Sequence, residues 1–263
     1  MELARCRALI CQHIACEPPG VLEDVMRERG WELARLELDE GDPLPAPGGF
    51  DAIVVMGGPM GAYEGSEHPW LLDEQRLLRA EVDSGTPVFG VCLGAQLLAA
   101  SLGARVYRGP APEVGILEVT LTDAGRDDPV AGALPERFLT LQWHSDTFEL
   151  PTGAVALAVS PAYPNQAFRV GEATYAVQFH LEVTGAMATE WGRVPAYAAA
   201  LESVRGPGAL AELLDEFAVH AAEMQRCARG LFERWAALVE RRAQAAGSSP
   251  PPARRSRYIR SLP

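Results

Sequence analysis

The sequence contains no lysine, and all 23 of its basic residues are arginine. The glycine-rich segment VVMGGPMGAY at 54–63 therefore does not match the P-loop motif G-x-x-x-x-G-K-S/T, although a phosphate loop of another kind stays possible. Acidic residues number 35, which gives the chain a formal net charge of −12 at pH 7. A chain this acidic repels a phosphate backbone, so we expect no nucleic-acid partner.

Long hydrophobic runs are also missing. No stretch approaches the ~18 apolar residues of a membrane-spanning helix, which predicts no membrane partner. The N-terminal segment MELARCRALICQHIACEPPG has neither the long apolar region nor the small-residue cleavage site of a signal peptide. We therefore expect a cytoplasmic location.

Cysteine pairs of the C-x-x-C type are absent. The chain has five cysteines, an odd number without the spacing of a disulfide framework, which is typical of a reducing compartment. Cys6, Cys11 and Cys16 recur every five residues, but no partner pair follows them as in zinc sites. We interpret these three as packing residues and predict no metal site.

Strand and helix patterns alternate over the first 103 residues. Strands are predicted over the apolar or alternating segments 8–13, 31–38, 51–56 and 86–91. Helices, each ended by a glycine, are predicted over 21–30, 70–85 and 93–103. This order predicts an α/β fold in three layers, with a mostly parallel central sheet and helices on both faces.

The second half is richer in strand patterns, over 114–180, and then becomes helical over 187–204 and 208–245. The long last helix carries an apolar stripe, which must be buried on its own domain, in a homodimer or against another protein. Behind GSSPPP, the arginine-rich run 253–260 is interpreted as a solvated tail rather than a docking arm.

These patterns divide the chain into three parts. We predict a catalytic region at 1–205, a helical C-terminal extension at 206–246 and a flexible Pro/Arg-rich tail at 247–263. The motifs described below end by Glu182, so we expect the chain from Gly206 onward to be dispensable for the chemistry but not for assembly.

Cys92 has the surroundings of a nucleophile. The run Gly90-Val91-Cys92-Leu93-Gly94 follows a predicted strand and precedes a predicted helix, as in a nucleophile elbow. The helix N-terminus lowers the pKa of a thiol placed there. The Leu93 N–H then points to where an oxyanion would form.

A base and its orienting group occur at the end of a later strand, in ATYAVQFHLEV at 173–183. His180 and Glu182 are two positions apart on an extended segment, so both side chains face the same side. Glu182 can then hold one imidazole nitrogen and leave the other for Cys92, as in a catalytic triad.

The glycine pair in the loop at 54–63 follows a buried strand and brings backbone N–H groups close to a ligand. We predict Gly58 as the second oxyanion donor. His13 and Glu17 follow the first strand at the same edge of the sheet and are candidates for shaping the substrate pocket.

Together, GGP, GVCLGAQ and FHLE occur in the order and at the separations of the class I glutamine amidotransferases. Over about residues 5–190 the chain resembles the stand-alone, GMP-synthase-like members of that family. The resemblance implies the flavodoxin-like amidotransferase fold, with Cys92, His180 and Glu182 as the triad. It further implies an oxyanion hole at Gly58 and Leu93, and no cofactor.

The resemblance also implies a glutamine site. Gln96 would contact the substrate, and the segment QWHSDTF at 142–148 matches the loop that holds its amino-acid end, with Trp143, Ser145 and Asp146 as candidates. Two departures stand out. Ala95 replaces the histidine of CLGHQ, and no SGGxDS-like loop of an ATP-pyrophosphatase domain is found.

Three functions remain open at this point. The first is hydrolysis of glutamine to glutamate and ammonia, with the ammonia passed to a separate synthetase. The second is hydrolysis of a γ-glutamyl peptide or conjugate through the same thioester. The third is a non-catalytic partner protein, which the complete Cys-His-Glu set disfavours.

Overall fold

The computed structural model describes residues 5–247, so nearly all of the predicted tail at 247–263 lies outside the described residues. Within that range the chain forms nine strands, which are β1 (Arg7–Gln12), β2 (Glu32–Glu37), β3 (Ala52–Val55), β4 (Val88–Val91), β5 (Val106–Leu121), β6 (Arg137–Phe148), β7 (Val155–Val159), β8 (Ala167–Val170) and β9 (Thr174–Val177). The α-helices in it are α1 (Val21–Glu28), α2 (Trp70–Ser84), α3 (Leu93–Ser101), α4 (Asp123–Arg126), α5 (Gly185–Trp191), α6 (Pro195–Arg205) and α7 (Ala209–Gly247). Two 3₁₀ turns occupy Leu38–Glu40 and Ala131–Ala133.

All nine strands belong to one sheet in the order β2-β1-β3-β4-β9-β8-β7-β5-β6. The five strands from β2 to β9 are joined by parallel pairings, and the remaining pairings are antiparallel. The α/β class and the central sheet predicted from the sequence are confirmed. The carboxyl ends of β1, β3, β4 and β9 meet at one edge, which is where ligands bind in such sheets.

Alternating residues of the parallel strands pack into two separate apolar clusters, one on each face of the sheet. Ala8 and Ile10 of β1 pack in the cluster that contains α1 and α7. Leu9 and Cys11 pack in the cluster that contains α2 and α3. Because successive side chains of a strand point to opposite faces, this division produces the three layers.

The long helix α7 is part of the layer on the α1 side. Trp235 is fully buried, its ring packs edge-on against Phe89 with centroids 5.3 Å apart, and its indole N–H donates to the Ala173 carbonyl at 3.3 Å. Since α7 and β4 share one apolar cluster, the proposed division into a catalytic region and an extension stays a prediction.

The region predicted to be helical over 187–204 forms two helices, α5 and α6. Pro195 begins α6, in the position where the missing proline N–H costs no helical hydrogen bond. Gly192 ends α5 against Leu210, whose side chain would lie 2.4 Å from a Cβ at that position. Along residues 5–247, no helix is both long enough and apolar enough to cross a membrane.

Candidate active site

Cys92 occupies a strained turn between β4 and α3. Its φ is 52°, and among the described residues it is the only non-glycine with a positive φ. Its backbone N–H donates to the Val177 carbonyl of β9 at 2.9 Å, which ties the turn to the neighbouring strand. A backbone strained in this way costs free energy and is maintained only where its surroundings hold it, as at many functional sites.

The glycines beside Cys92 allow the close packing that this turn requires. A Cβ on Gly90 would lie 2.7 Å from the Gly94 carbonyl oxygen, and a Cβ on Gly94 would lie 2.1 Å from the Val55 oxygen. Real Cβ atoms do not approach oxygen so closely, so any side chain at either position would displace α3 from the sheet.

His180 and Glu182 form a buried pair just beyond β9. His180 Nδ1 and Glu182 Oε1 are 2.7 Å apart, and each residue is about 1% exposed. Burial lowers the pKa of His180, but the charges of Glu182 and Cys92 and hydrogen bonds to both outweigh it, and the pKa lies well above its ordinary value. The arrangement therefore favours an imidazolium beside Cys92.

Gly58 and Leu93 lie side by side, since a Cβ on Gly58 would be 3.0 Å from Leu93 Cδ2. Neither backbone N–H donates a hydrogen bond within the described residues. Leu93 is the first residue of α3, where a backbone N–H has no partner inside its helix. Both groups are thus available to a ligand.

A cavity of about 460 Å³ adjoins Cys92. Its lining includes most of the site residues expected from the sequence, which are Gly58, Cys92, Gln96, Trp143, Ser145 and Asp146. His180, Glu182 and Leu93 are buried and do not line it. Chain segments that are far apart in sequence therefore converge on one pocket, with the Cys92 thiol in its wall.

The family model described as Glutamine amidotransferase class-I matches residues 21–191, which is more than half of the chain. The chain belongs to the class I glutamine amidotransferases. The amidotransferase-like protein YfeJ of Salmonella typhimurium is 32% identical over 176 residues, 65% of this chain and 74% of that protein. A glutamine-hydrolyzing GMP synthase of Aeropyrum pernix is 38% identical over 154 residues, 58% of this chain and only 27% of that protein.

Solved structures agree with this membership. A glutamine amidotransferase from Thermotoga maritima is 33% identical and superposes with a TM-score of 0.78, covering 88% of this chain and 98% of its own. One from Methylobacillus flagellatus is 28% identical with a TM-score of 0.80, covering 89% and 95%. The amidotransferase fold expected from the sequence is thereby confirmed.

Two predicted substrate residues of this amidotransferase are already hydrogen-bonded. Gln96 Nε2 donates to Gln178 Oε1 at 3.1 Å and to the Asp146 carbonyl at 3.4 Å. The Trp143 indole N–H donates to the Tyr197 carbonyl at 3.2 Å. Because these N–H groups already donate to neighbouring groups in the pocket wall, any contact of Gln96 or Trp143 with a substrate uses other atoms.

Gln178 was missed by sequence reasoning. Its Nε2 donates to Cys92 Sγ at 3.5 Å, and its side chain is fully buried. The signal was present, because Gln178 stands two positions before His180 on the same strand end and so shares its face.

The segment 142–148, expected as a substrate loop, is part of strand β6. A second buried His–Glu pair, also missed, supports it. His144 Nε2 lies 3.1 Å from Glu113 Oε2, and His144 Nδ1 lies 2.8 Å from the Asp146 carbonyl. Glu113 also accepts from Ser160 at 2.8 Å and from Gln166 at 2.6 Å. Glu113 and His144 are opposite each other on β5 and β6, a register that no local motif reveals.

Charged and phenolic groups surround the cavity. Arg108 lies opposite Asp146 in the same β5–β6 ladder, and both line the cavity together with Glu64 and Tyr63. Burial and a hydrogen bond with Asp146 raise the pKa of Tyr63 to about 12. The cavity thus presents groups of both signs, as a zwitterionic ligand requires.

His13 and Glu17, the candidates for shaping the substrate pocket, do not line the cavity. Both side chains are buried and turn toward the Gly57 backbone. Glu17 accepts a hydrogen bond from Tyr197, and burial raises its pKa although His180 and Tyr197 oppose the shift. Ala95, the position that departs from CLGHQ, is fully buried in the apolar cluster and also lies outside the cavity.

Proposed function

We propose that this chain hydrolyses the side-chain amide of glutamine, with Cys92 as nucleophile, His180 as acid and base, and Glu182 as orienter. The observation that supports this most directly is the buried 2.7 Å His180–Glu182 pair beside a strained cysteine that opens onto a cavity. Membership of the class I glutamine amidotransferases supports the choice of substrate.

The first half of the reaction forms a thioester. The Cys92 thiolate attacks the amide carbon, a C–S bond forms and the carbonyl electron pair moves onto oxygen. The Gly58 and Leu93 N–H groups stabilise that oxyanion, a contribution of roughly 3–4 kcal/mol for each well-placed donor. His180 then gives its proton to the leaving nitrogen, the C–N bond breaks and ammonia departs.

The second half releases glutamate. Neutral His180 takes a proton from water as the water oxygen attacks the thioester carbon. The same two N–H groups hold the second oxyanion, the C–S bond breaks, and the Cys92 thiolate and the His180 imidazolium are restored. These steps use only protein groups and water, and no cofactor takes part.

We assign recognition of the amino-acid end to the C-terminal part of strand β6. Ser145 and Asp146 line the cavity and have oxygen atoms that can accept from an α-ammonium group. Gln96 and Trp143 shape the same wall. We propose that the released ammonia passes to a separate synthetase subunit, and the similarity of the chain to a glutamine-hydrolyzing GMP synthase supports an acceptor enzyme of this kind.

The size of the cavity favours a second candidate, hydrolysis of a γ-glutamyl conjugate with a larger leaving amine. A volume of about 460 Å³ lies within the range of pockets that hold drug-sized ligands, and free glutamine is smaller than these. The thioester and the residues that form it would be unchanged. Homodimerisation and a cytoplasmic location stay predictions.

One assay tests the proposal and separates the two substrates. Purified protein is incubated with L-glutamine and with a panel of γ-glutamyl amides of increasing amine size, and glutamate and the released amine are measured. Glutamine as the best substrate supports the glutaminase, and a larger amide as the best substrate supports the conjugate hydrolase. No turnover of any of them, with or without a candidate synthetase, would overturn both.

A further inference from the structure

The peptide that joins Gly57 to Gly58 is held from one side by His13. The His13 Nδ1–H donates to the Gly57 carbonyl oxygen at 3.1 Å. In a planar trans peptide the carbonyl and the following N–H point in opposite directions. The Gly58 N–H is therefore directed away from His13, and Gly58 lines the cavity together with Cys92.

The His13 imidazole is itself fixed by a buried ion pair. His13 Nε2 lies 3.0 Å from Glu74 Oε2 of α2, and both side chains are fully buried. The ring also stacks on Trp70, with centroids 5.5 Å apart and planes inclined by 11°. With a carbonyl on one nitrogen and a carboxylate on the other, both nitrogens act as donors.

The charge state of His13 agrees with this geometry. Burial lowers the pKa of His13, but the charge and hydrogen bond of Glu74, with the bond to Gly57, raise it above its ordinary value. A buried ion pair rarely stabilises a fold more than apolar side chains of the same volume. Its presence against this one peptide therefore favours a role in orienting the peptide.

The space around Gly57 leaves the peptide little freedom. A Cβ at Gly57 would lie 2.0 Å from Glu17 Oε2, and one at Gly58 would lie 2.9 Å from His13 Cβ. The loop after β1 therefore packs directly on both glycines. Movement of the peptide toward that loop is blocked, and rotation breaks the bond to His13.

We propose that His13, held by Glu74, is a positioning residue that keeps the Gly57–Gly58 peptide with its N–H directed at the oxyanion. This inference rests on the proposed role of Gly58 as an oxyanion donor. It requires no contact between His13 and the substrate, since the histidine acts only through the peptide.

Two reactions of Cys92 separate the orientation of the donor from the reactivity of the thiol. The thiolate attacks 4-nitrophenyl acetate, expels 4-nitrophenolate and forms an acetyl thioester through a tetrahedral oxyanion. With iodoacetamide, the same thiolate displaces iodide at carbon and no oxyanion develops. The ratio of the acylation and alkylation rate constants therefore reports on the oxyanion donors. The Cys92→Ser variant is the control for both reactions. If it is neither acylated nor alkylated, both reactions take place at Cys92.

Two substitutions of His13 differ in which hydrogen bond they keep. The amide nitrogen of asparagine takes the place of Nδ1, so His13→Asn retains the donor to Gly57. The longer glutamine places its amide near the position of Nε2. His13→Gln therefore keeps the hydrogen bond to Glu74 and loses the hydrogen bond to the Gly57 carbonyl. His68→Gln is the matched control, because His68 contacts the same Trp70 ring from outside this network.

We expect His13→Gln to lower the acylation rate constant by about tenfold or more. This is smaller than the roughly 10²–10³-fold loss of rate that follows complete removal of an oxyanion donor, because the Gly58 N–H is misdirected but still present. Alkylation should change by less than about twofold, and His13→Asn should keep the ratio within about threefold of wild type. Equal losses in His13→Asn and His13→Gln, or an unchanged ratio in His13→Gln, would overturn the inference.

Two further outcomes also decide the question. If His13→Gln does not fold, a near-normal ratio in His13→Asn still supports the inference, and a low ratio contradicts it. If the wild type shows no rapid initial release of 4-nitrophenolate, Cys92 is not acylated, and this result would contradict the oxyanion hole itself. Because the ester carries no glutamine, failure to hydrolyse glutamine overturns the proposed function without deciding this inference.

Discussion

Glu182 holds His180 by a 2.7 Å hydrogen bond at a depth where each residue is only about 1% exposed. In a site so well shielded from water, the charge of the carboxylate acts on the imidazole more strongly than it would in water. The pair therefore controls both the orientation of the ring and the pKa of His180, and these two effects can be measured separately.

Replacing Cys92 with serine should reduce turnover to less than a tenth of wild type and leave the fold intact. A serine hydroxyl is far less acidic than a thiol at a helix N-terminus, and its volume is similar. Steady-state hydrolysis and thermal melting measure the two effects. Cys16→Ser, which changes a half-buried cysteine outside the cavity, is the matched control and should keep full turnover.

The substitution Glu182→Gln should lower kcat roughly 10²- to 10⁴-fold with little change in KM, because in the proposed mechanism the group orients the imidazolium and does not touch substrate. Glu190→Gln, on the exposed surface of α5, is the control and should leave both constants unchanged. A change confined to KM would identify Glu182 as a binding residue.

The pH profile should show the raised pKa of His180. Protonated His180 is needed by the leaving amine, so kcat/KM should fall as pH rises through a pKa well above 6.5. In Glu182→Gln this alkaline limb should move to lower pH, because the carboxylate that raises the pKa is gone. An unmoved limb would show that another group titrates.

The same shift affects stability. A histidine whose folded pKa exceeds its unfolded value contributes stability that is fully present below about pH 6.5 and is lost as pH rises through the folded pKa. Urea unfolding at several pH values should therefore show a weaker pH dependence in Glu182→Gln than in wild type over that window.

Gly94→Ala should disrupt the turn that carries Cys92. The new Cβ would lie 2.1 Å from the Val55 oxygen, and overpacking of this kind costs about 1–3 kcal/mol. Urea denaturation measures the loss, and turnover should fall with it. Gly49→Ala is the control, since a Cβ at Gly49 meets nothing within 4 Å.

Trp235→Ala should destabilise the whole protein by about 3–5 kcal/mol, because it leaves a large cavity against Phe89. Val219→Ala, on the same helix and 77% exposed, should have almost no effect on the free energy of unfolding. Truncation at Gly206 removes Trp235 together with the rest of α7. Because Trp235 packs on Phe89, which lies three residues before Cys92, this truncation should abolish folding as well as chemistry. An active, folded truncated protein would show that the chain from Gly206 onward is dispensable for the chemistry, as the sequence predicts.

Local patterns were sufficient for most of the elements and for the proximity of His180 to Glu182, two residues of the proposed triad. The 2-residue and 3.6-residue periods of apolar side chains mark strands and helices wherever one face is buried. Gly90-Val91-Cys92-Leu93-Gly94 and His180-Leu181-Glu182 carry their geometry within a few residues, because backbone conformation alone places those groups. The helix break before Pro195 also has a local signal, because proline is common in the first turn of a helix.

Contacts between distant segments were decided by tertiary structure. Gln178 reaches Cys92 across 86 positions because β9 pairs with β4, and His13 reaches Gly57 across 44 because β1 pairs with β3. Glu113 meets His144 only through the register of β5 and β6. Strand order and register depend on how the whole sheet buries its two faces, which is a property of the assembled chain and not of any short segment.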